Sequence, residues 1–266
     1  MLWFVAALTL LVGSLALTAK TDSQLSRGFM DKVRAEAAAD GAVQLILATS
    51  PVEGQQLYQR EYRIGALPVK VRAVPVSALI SIYDADEVLL NALFEVGAGL
   101  DSARAAELTQ SVVQWRTQTV DEEQAQRRRV SIQVLEDVLA VPGVTREVFD
   151  AIQPFIRPRA GRGGALDITH APAEVLHVLA AGQQVDLESA LEARSTQQPD
   201  TLSAVKLSPQ PLRVDARVKM ASGFVYERSV WVTPGGGATG WQITRRYPVR
   251  AVPQLTFDRS DNYGDI

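Results

Sequence analysis

An uncharged, apolar run lies at the N-terminal end of the sequence. Residues 1–19 (MLWFVAALTLLVGSLALTA) contain no charged residue, and 15 of the 19 are apolar. The hydrocarbon core of a bilayer is about 30 Å thick, so about 20 helical residues cross it. We therefore expect a membrane anchor over residues 2–19, which ends at the first charged residue, Lys20.

A cleaved signal peptide is the competing interpretation of this run. Signal peptides carry a basic segment before the apolar core and small residues at the cleavage site. No Lys or Arg precedes the run, and cleavage after Ala19 would place Leu17 at position −3. An uncleaved anchor is therefore favoured. Its orientation stays open at this point, because the basic residues that would hold the rest of the chain inside all follow the run: Lys20, Arg27, Lys32 and Arg34.

The helix is expected to continue well beyond the anchor. No Pro occurs between Thr21 and Ala48, and Ser50-Pro51 then ends the helix, because a residue before Pro avoids the α region. Apolar residues recur at a spacing near four, which predicts one apolar face that needs a partner surface, either in the chain's own domain or in other chains. This predicted stripe consists of Leu25, Phe29, Val33, Ala37, Gly41 and Leu45, with Met30, Ala38, Ala42 and Ile46 beside it.

Strand-like and helix-like periodicities then alternate along the chain. Period-two alternation predicts strands, in which Pro68 and Pro75 suit an edge, a bulge or a break: Leu57–Ile64, Leu67–Ile82, Leu212–Met220, Phe224–Thr233 and Trp241–Tyr247. Helical periodicity, with N-caps expected at Ser102, Thr145 and Asp186, predicts Asp84–Val96, Ser102–Thr117, Ser131–Leu139, Thr145–Ile156, Ala173–Ala181 and Leu187–Arg194. Trp115 and Trp231 are expected in the core or on a sheet face.

Strands on both sides of a helical block indicate one α+β domain whose sheet is interrupted by a helical insertion. The expected organisation is an N-terminal helix over 1–49, a sheet domain formed by 50–83 and 208–250, a helical insertion over 84–195, and a flexible tail over 251–266. The helical block contains a short internal repeat, because Ser81–Leu93 aligns without gaps on Asp167–Leu179 at an offset of 86. Each copy predicts an extended segment, a cap and an amphipathic helix.

Composition excludes several kinds of chemistry. The 266-residue chain contains no Cys and only two His, at 170 and 177, so disulfides, Cys-ligated metals and thiol catalysis are excluded. Neither His belongs to a metalloprotease or triad motif, and the Gly-rich segments Gly161–Gly164 and Pro234–Gly240 lack the pattern of a phosphate loop. We therefore expect no enzyme activity, no cofactor and no small-molecule substrate.

Four segments, which occur in the same order along the chain as in the family, resemble the minor pseudopilin K family of type II secretion systems (GspK). Leu166–Leu176 (LDITHAPAEVL) resembles the family's motif that opens and closes its helical domain, and Gln114–Thr117 (QWRT) resembles its Trp-Arg tag. Leu135–Ile156, which contains Val141-Pro142-Gly143-Val144, is similar to its Val-Pro-Gly segment, and Ala35–Leu45 is similar to the end of its first helix. The resemblance covers about 250 residues.

This resemblance implies a fold and a role. The fold would be a long transmembrane helix followed by a pilin-like antiparallel sheet, interrupted by a helix-hairpin-helix or SAM-like insertion. The protein would be anchored in the inner membrane by a single pass with a periplasmic body, at the tip of the pseudopilus with other minor pseudopilins, where it helps to initiate assembly. The residues expected to contact the helix bundle are Leu2, Trp3, Phe4, Val5, Leu8 and Leu11.

Two features depart from the family. Its short basic leader ending in Gly has no counterpart before Met1-Leu2-Trp3, so we expect either a misassigned start codon or an unprocessed, divergent member. The acidic region that holds calcium in some members is replaced by Val120–Arg129. Here Asp121, Glu122 and Glu123 are consecutive on a helix-like segment and would not converge on one cation, so no metal site is predicted.

A membrane-anchored DNA receptor of the competence type is the alternative function. Val141–Val144 resembles half of a helix-hairpin-helix, although Thr145 stands where the DNA-binding version has a second Gly. A basic patch could be formed by Arg127–Arg129, Arg157, Arg159 and Arg162. The net charge of −3 argues against nucleic acid, because phosphate binding needs clustered positive charge.

Overall fold

The computed structural model describes residues 2–49, 58–117, 135–157, 166–196, 210–235 and 240–252. It begins with a single helix, α1 (Leu2–Thr49), which confirms the prediction of one long N-terminal helix. Within the described residues, none of the helices combines the length and the hydropathy needed to cross a bilayer. Most side chains of the predicted anchor over 2–19 lie outside the description, so the anchor stays a prediction.

Eight strands and five further helices follow in the described residues. The strands are β1 (Tyr58–Ile64), β2 (Leu67–Pro75), β3 (Ile80–Ser81), β4 (Ile156–Arg157), β5 (Leu212–Lys219), β6 (Val225–Pro234), β7 (Trp241–Arg246) and β8 (Arg250–Val252). The helices are α2 (Glu87–Ala92), α3 (Ser102–Thr117), α4 (Arg146–Ile152), α5 (Ala173–Ala181) and α6 (Leu187–Thr196). A π-turn at Leu93–Gly97 extends α2, and 3₁₀ turns occur at Val76–Ala78, Leu135–Ala140 and Ile168–His170.

The main sheet is antiparallel, with the order β1-β2-β5-β6-β7 and with β8 also paired to β6. The chain leaves this sheet at Pro75 and returns at Leu212, and these two residues face each other in the β2–β5 pair. All described helices after α1 lie between these two points in the chain. The structure therefore confirms the α+β class with an antiparallel sheet.

The two prolines do not mark an edge strand, because β2 lies between β1 and β5. Pro68 stands before Val69, where the pairing with β5 begins, and Pro75 is the last residue of β2. Each proline therefore lies at an end of β2, where a missing backbone donor disturbs the ladder least. The predicted run Leu67–Ile82 is accordingly divided: after Pro75 comes a 3₁₀ turn, and Ile80–Ser81 pairs in parallel with Ile156–Arg157.

Side chains that alternate along the strands separate the core into two parts. One face of the sheet packs against α1 through buried residues such as Val71, Ala216 and Val230. The other face carries Val74 and Trp231 into the core of the helical insertion, where Phe94 and Phe149 are fully buried. The sheet is thus the middle layer between α1 and the inserted helices.

Helix starts within the insertion follow local capping rules, with one correction. Thr145 and Asp186 cap α4 and α6 as predicted, by accepting from Val148 N and Ser189 N respectively. The predicted cap Ser102 is wrong: it is already helical, and Asp101 Oδ1 accepts the Arg104 N–H instead. Asp101 precedes the helix, so its side chain can accept from the free amides of the first turn, whereas Ser102 is itself part of that turn.

Three helix extents also differ from the predictions. Residues 131–134 lie outside the description, and Leu135–Ala140 forms a 3₁₀ turn rather than an α-helix. The helix predicted over Thr145–Ile156 ends at Ile152, because Ile156 pairs with Ile80 in the β3–β4 bridge. The prediction of a tail from residue 251 is wrong for Ala251 and Val252, which pair with β6. Residues 253–266 lie outside the described residues.

The two copies of the internal repeat pack against each other through their helices, α2 and α5. Asp86 caps α2 by accepting from Leu89 N, and its second oxygen accepts from Gln184 Nε2 beyond the end of α5. A Cβ on Gly182 would lie 3.1 Å from the Cα of Leu89, which is closer than most Cβ contacts, so glycine favours this close approach. The Trp-Arg tag contacts the first copy of the repeat, because Arg116 donates to the carbonyls of Ile82 and Ala85.

Candidate functional site: the free strip of α1 and a charged junction

The face of α1 that contacts the sheet begins with alanines and ends with larger apolar residues. Ala35, Ala38, Ala39, Ala42, Val43, Ile46 and Leu47 are all buried against the sheet. Alanine allows the helix axis to approach the sheet closely, and its low hydrophobicity gives only a weak signal in the sequence. The main line of the predicted apolar stripe does not contact the sheet, because Leu25, Phe29, Val33, Ala37 and Leu45 are exposed and Gly41 is half-buried. The residues predicted beside it that do contact the sheet are Ala38, Ala42 and Ile46.

Charged groups fix α1 to one face of the sheet. Arg228 on β6 is buried and donates to Glu36 Oε1 at 2.8 Å and to Asp40 Oδ1 at 3.0 Å. Ser222 Oγ, in the β5–β6 turn, donates to Asp31 Oδ2 at 2.6 Å. These contacts use the carboxylates of α1 that lie nearest to the sheet, and they add charge-assisted hydrogen bonds to the apolar packing.

An uncovered apolar strip remains on α1, partly in the turns that the sheet does not reach and partly on the side turned away from it. We call Leu25, Phe29, Met30, Val33 and Ala37 the free strip; all of them are exposed, with Leu25 at 68% and Phe29 at 67%. Residues two positions apart lie about 200° apart around a helix, so Val33 and Ala37 point away from the sheet while Ala35 and Ala39 contact it. Exposed apolar rows of this kind mark interaction surfaces.

Two of the six predicted bundle residues are described, and both are free of the body. Trp3 is 89% exposed and Phe4 is 79% exposed. The side chains of Leu2, Val5, Leu8 and Leu11 lie outside the described residues. The role of all six residues in a helix bundle stays a prediction.

The second face of the sheet carries a buried ionic cluster, which we call the charged junction. Arg213 Nη2 lies 3.0 Å from Asp215 Oδ2, and Arg72 Nη2 lies 3.6 Å from the same oxygen. Ser229 Oγ donates to the other oxygen of Asp215 at 2.7 Å. Arg72, Asp215 and Ser229 stand directly opposite one another on β2, β5 and β6, so strand register alone creates this row.

A parallel row crosses the sheet two residues further along β5. Arg217 Nε donates to Glu227 Oε2 at 2.6 Å, and Arg250 Nη2 donates to Glu227 Oε1 at 2.8 Å. Arg250 on β8 also donates to the Asp150 carbonyl and to Gln153 Oε1 at the end of α4. Each oxygen of the buried Glu227 carboxylate therefore accepts from a different guanidinium.

The charged junction joins the sheet to the insertion at several points. Arg72 Nη2 is 2.7 Å from Glu174 Oε1 on α5, and Arg213 Nη1 donates to the Pro154 carbonyl at 2.5 Å. Arg245 on β7 pairs with Glu136 at 2.6 Å. Because each contact links a strand of the sheet to a different part of the insertion, the junction sets the orientation of the two layers.

Mutual compensation keeps these buried groups charged. Burial opposes ionisation of Asp215, but the charges of Arg213 and Arg72 outweigh burial and hold the pKa of Asp215 below its usual value. Burial acts in the same direction on Glu174, and the charge and hydrogen bond of Arg72 lower its pKa. The two carboxylates in turn raise the pKa of Arg72 against the effect of burial.

A cavity of about 30 Å³ lies within the charged junction. Its lining residues are Arg72, Leu135, Gln153, Pro154, Glu174, Arg213, Asp215, Arg217, Glu227, Ser229, Trp231, Tyr247 and Arg250. A space of this size holds about two water molecules. The cavity is therefore too small to enclose a cofactor or a metabolite, and the contacts around it connect the sheet to the insertion.

The candidate chemical residues from the sequence do not converge. His170 Nδ1 lies 2.7 Å from Asp167 Oδ2 within one 3₁₀ turn, whereas His177 is exposed on α5. Within the described ranges, no group of three or more His, Asp or Glu side chains is placed to hold a metal ion. Asp121, Glu122 and Glu123 lie outside those ranges. Trp231 is buried in the core, as predicted, and Trp115 packs beside Tyr83.

The basic patch expected for DNA binding loses one of its members. Arg157 is buried in the β3–β4 bridge, so it cannot contact phosphate. Arg127–Arg129, Arg159 and Arg162 lie outside the described residues. The hairpin itself packs on α3, because Arg104 Nη2 donates to the Gly143 carbonyl at 3.0 Å.

Comparisons with known proteins give a likeness in structure but none in sequence. No family model matches the chain, and no curated protein matches it. A chain in the crystal structure of the GspK-GspI-GspJ complex from the type 2 secretion system of enterotoxigenic Escherichia coli is similar in structure, with a TM-score of 0.40 and 10% sequence identity. The match covers 88% of this chain and 99% of that chain. A likeness of this strength establishes no family membership.

The charged junction is the part of the structure that sequence reasoning missed. Its signal is visible in Leu212–Lys219 (LRVDARVK), where every second residue is charged while the residues between are apolar. Such alternation is typical of a strand with one solvent-facing side. Here the helical insertion covers that side, and Arg213 and Asp215 are buried.

Proposed function

We propose that this chain is a non-enzymatic assembly subunit, a minor pseudopilin of a type II secretion system that forms part of the pseudopilus tip and helps to initiate its assembly. The observation that carries this proposal is the way α1 is held: the sheet buries α1 only from Ala35 onwards, while Trp3, Phe4 and the free strip are exposed. A helix with an uncovered apolar side in front of a folded body is suited to join other helices. The sequence resemblance to the minor pseudopilin K family supports the same role.

The helical insertion supports a place at the tip. It packs on the sheet face opposite α1, so the body has three layers and is much wider than a helix. A body wider than the bundle that carries it would prevent another subunit from being added above it. The chain would therefore end a filament rather than extend one, with other minor pseudopilins as its partners.

The same proposal gives the chain a location. Residues 2–19 would cross the inner membrane once, and the body would lie in the periplasm. An apolar helix can move from lipid into a helical bundle, because both surroundings accept apolar side chains. In this way the N-terminal part of α1 would serve first as an anchor and then as a bundle helix.

A deletion strain provides the test. Removal of the chain is expected to abolish secretion while the exoproteins are still made and folded, and the full-length chain supplied in trans is expected to restore secretion. Normal secretion in the deletion strain would overturn the proposal. The competence-type alternative has its own measurement, because a DNA receptor would show salt-sensitive mobility shifts with duplex DNA.

A further inference from the structure

Charges along the exposed part of α1 are distributed unequally. The acidic residues Asp31, Glu36 and Asp40 all contact the body, through Ser222, Arg228 and Arg246. The basic residues Arg27, Lys32 and Arg34 are exposed, and no ion pair involves them within the described part of the chain. The carboxylates of this segment therefore bind the body, and its cations are left for another molecule.

These cations border the free strip. Arg27 and Arg34 lie three residues before and four residues after Met30, so both are its neighbours on the helix surface. They are seven residues apart and so lie on the same side of the helix, about 10 Å apart along its axis. Lys32 borders the strip on the other side, three residues after Phe29. An apolar row with charged borders has the pattern by which helices select partners in coiled coils.

From this arrangement we propose that the free strip docks an amphipathic helix of a different protein, and that this helix carries carboxylates opposite Arg27 and Arg34. The inference rests on the proposed function and specifies the chemistry of the partner. A second copy of this chain in parallel register is disfavoured, because it would bring the same arginines together. Opposite charges at the borders favour pairing, whereas like charges oppose it.

A membrane surface fits the geometry less well than a helix. Basic borders beside an apolar row also occur in helices that lie flat on anionic lipid. In this chain, α1 is continuous from Leu2 to Thr49. If residues 2–19 cross the bilayer, Arg27 and Arg34 stand about 12 and 22 Å beyond the end of the anchor along the helix axis. A helix that stands out of the membrane cannot also lay this segment along its surface.

Site-specific photo-crosslinking of the full-length chain in its native cells tests the proposal. The photoreactive residue p-benzoylphenylalanine replaces Val33 in the free strip or, in a second strain, Phe4 near the N-terminus. We expect the adduct at position 33 to contain a peptide of another protein with Asp or Glu within one helical turn of the linked residue. In the double variant Arg27→Glu/Arg34→Glu, this adduct should decrease at least about tenfold, which corresponds to 1.4 kcal/mol.

A matched variant controls for net charge. Arg63→Glu/Lys219→Glu changes the charge by the same amount at exposed sites on β1 and β5, and it should leave the adduct at position 33 unchanged. The adduct at position 4 should persist in both double variants. An undiminished adduct in Arg27→Glu/Arg34→Glu, a linked peptide without carboxylates, or an adduct to lipid or to a second copy of this chain would overturn the inference.

Failure of the proposed function has a different signature. In that case the deletion strain secretes normally, and the protein linked at position 33 is not a pseudopilin, whether or not the adduct depends on Arg27 and Arg34. Secretion that needs the chain, together with an adduct at position 33 that ignores the charge reversal, overturns only the charge-complementary docking.

Discussion

Arg72 on β2 and Glu174 on α5 form an ion pair with 2.7 Å between Nη2 and Oε1. The same guanidinium lies 3.6 Å from Asp215, so one buried cation connects a strand pair to a helix of the insertion. Buried charges are costly unless each has a partner, and removal of one partner leaves the other uncompensated. The relation between the sheet and the insertion therefore depends on a complete set of charges.

Asp215→Asn should destabilise the protein strongly. The substitution preserves volume but removes the negative charge that faces Arg213 and Arg72, and such a loss in a buried cluster costs about 3–5 kcal/mol of unfolding free energy. Urea unfolding followed by circular dichroism measures the change. Asp150→Asn is the matched control, because its ion pair with Arg146 is exposed and should contribute at most about 1 kcal/mol. Equal losses in the two variants would contradict the role of the junction.

Acid should weaken the same junction. The pKa values of Asp215 and Glu174 are lowered in the folded protein, so the unfolded chain binds protons more readily than the folded one at acidic pH. Their contribution is fully present above the unfolded-state pKa of about 4 and is lost as pH falls through the folded values. The free energy of unfolding should therefore decline below about pH 5. Asp215→Asn should show a shallower decline, and a parallel decline in both proteins would contradict the assignment.

Arg228→Met should loosen α1 from the sheet. Arg228 is buried and donates to both Glu36 and Asp40, and hydrogen bonds to charged groups contribute about 1.5–3 kcal/mol. We expect a loss of that size in unfolding free energy, with faster amide hydrogen exchange over residues 35–47. Arg246→Met provides the control, since its exposed guanidinium is 3.8 Å from Asp40 and should matter little. Unchanged exchange in Arg228→Met would show that apolar packing alone holds the helix.

Two glycine substitutions should act in opposite directions. Gly143→Ala forces a Cβ into a backbone with φ of +86°, 3.0 Å from Leu108 Cδ2, and should cost about 1–2 kcal/mol because the left-handed region is strained for alanine. Gly28→Ala places a methyl group where nothing lies within 4 Å and should stabilise the helix by about 1 kcal/mol. Melting temperatures of the two variants provide the measurement. A stabilised Gly143→Ala variant would mean that the hairpin is not held in this conformation.

Local patterns predicted the elements better than their partners. The extents of α3 and α5 agree with the sequence, because helix formers and their breakers lie close together in the chain. The apolar stripe of α1 predicted a partner surface but left open whether the body or another chain supplies it. Phe29 and Val33 carry the strongest apolar signal and are exposed, whereas the sheet buries the alanines. Which side of a helix is buried depends on the surface it meets, and no local pattern contains that surface.

The charged junction could not be predicted from the sequence for a related reason. Arg72 and Asp215 meet only because β2 and β5 pair in one register, and a shift of one residue would turn both to the other face. The alternation around Asp215 correctly indicated a strand, but the same alternation describes a strand with a solvated side. Only the position of the insertion distinguishes a solvated row of charges from a buried one.

Direct pairing between β2 and β5 also orders events during synthesis. When the ribosome has made β1 and β2, the edge of β2 that β5 will cover is still open, and every helix of the insertion is translated before β5 emerges. An open strand edge invites pairing with other chains. The β2 edge therefore stays open until the whole insertion and β5 have been made, and a chaperone that shields this edge would act during this interval.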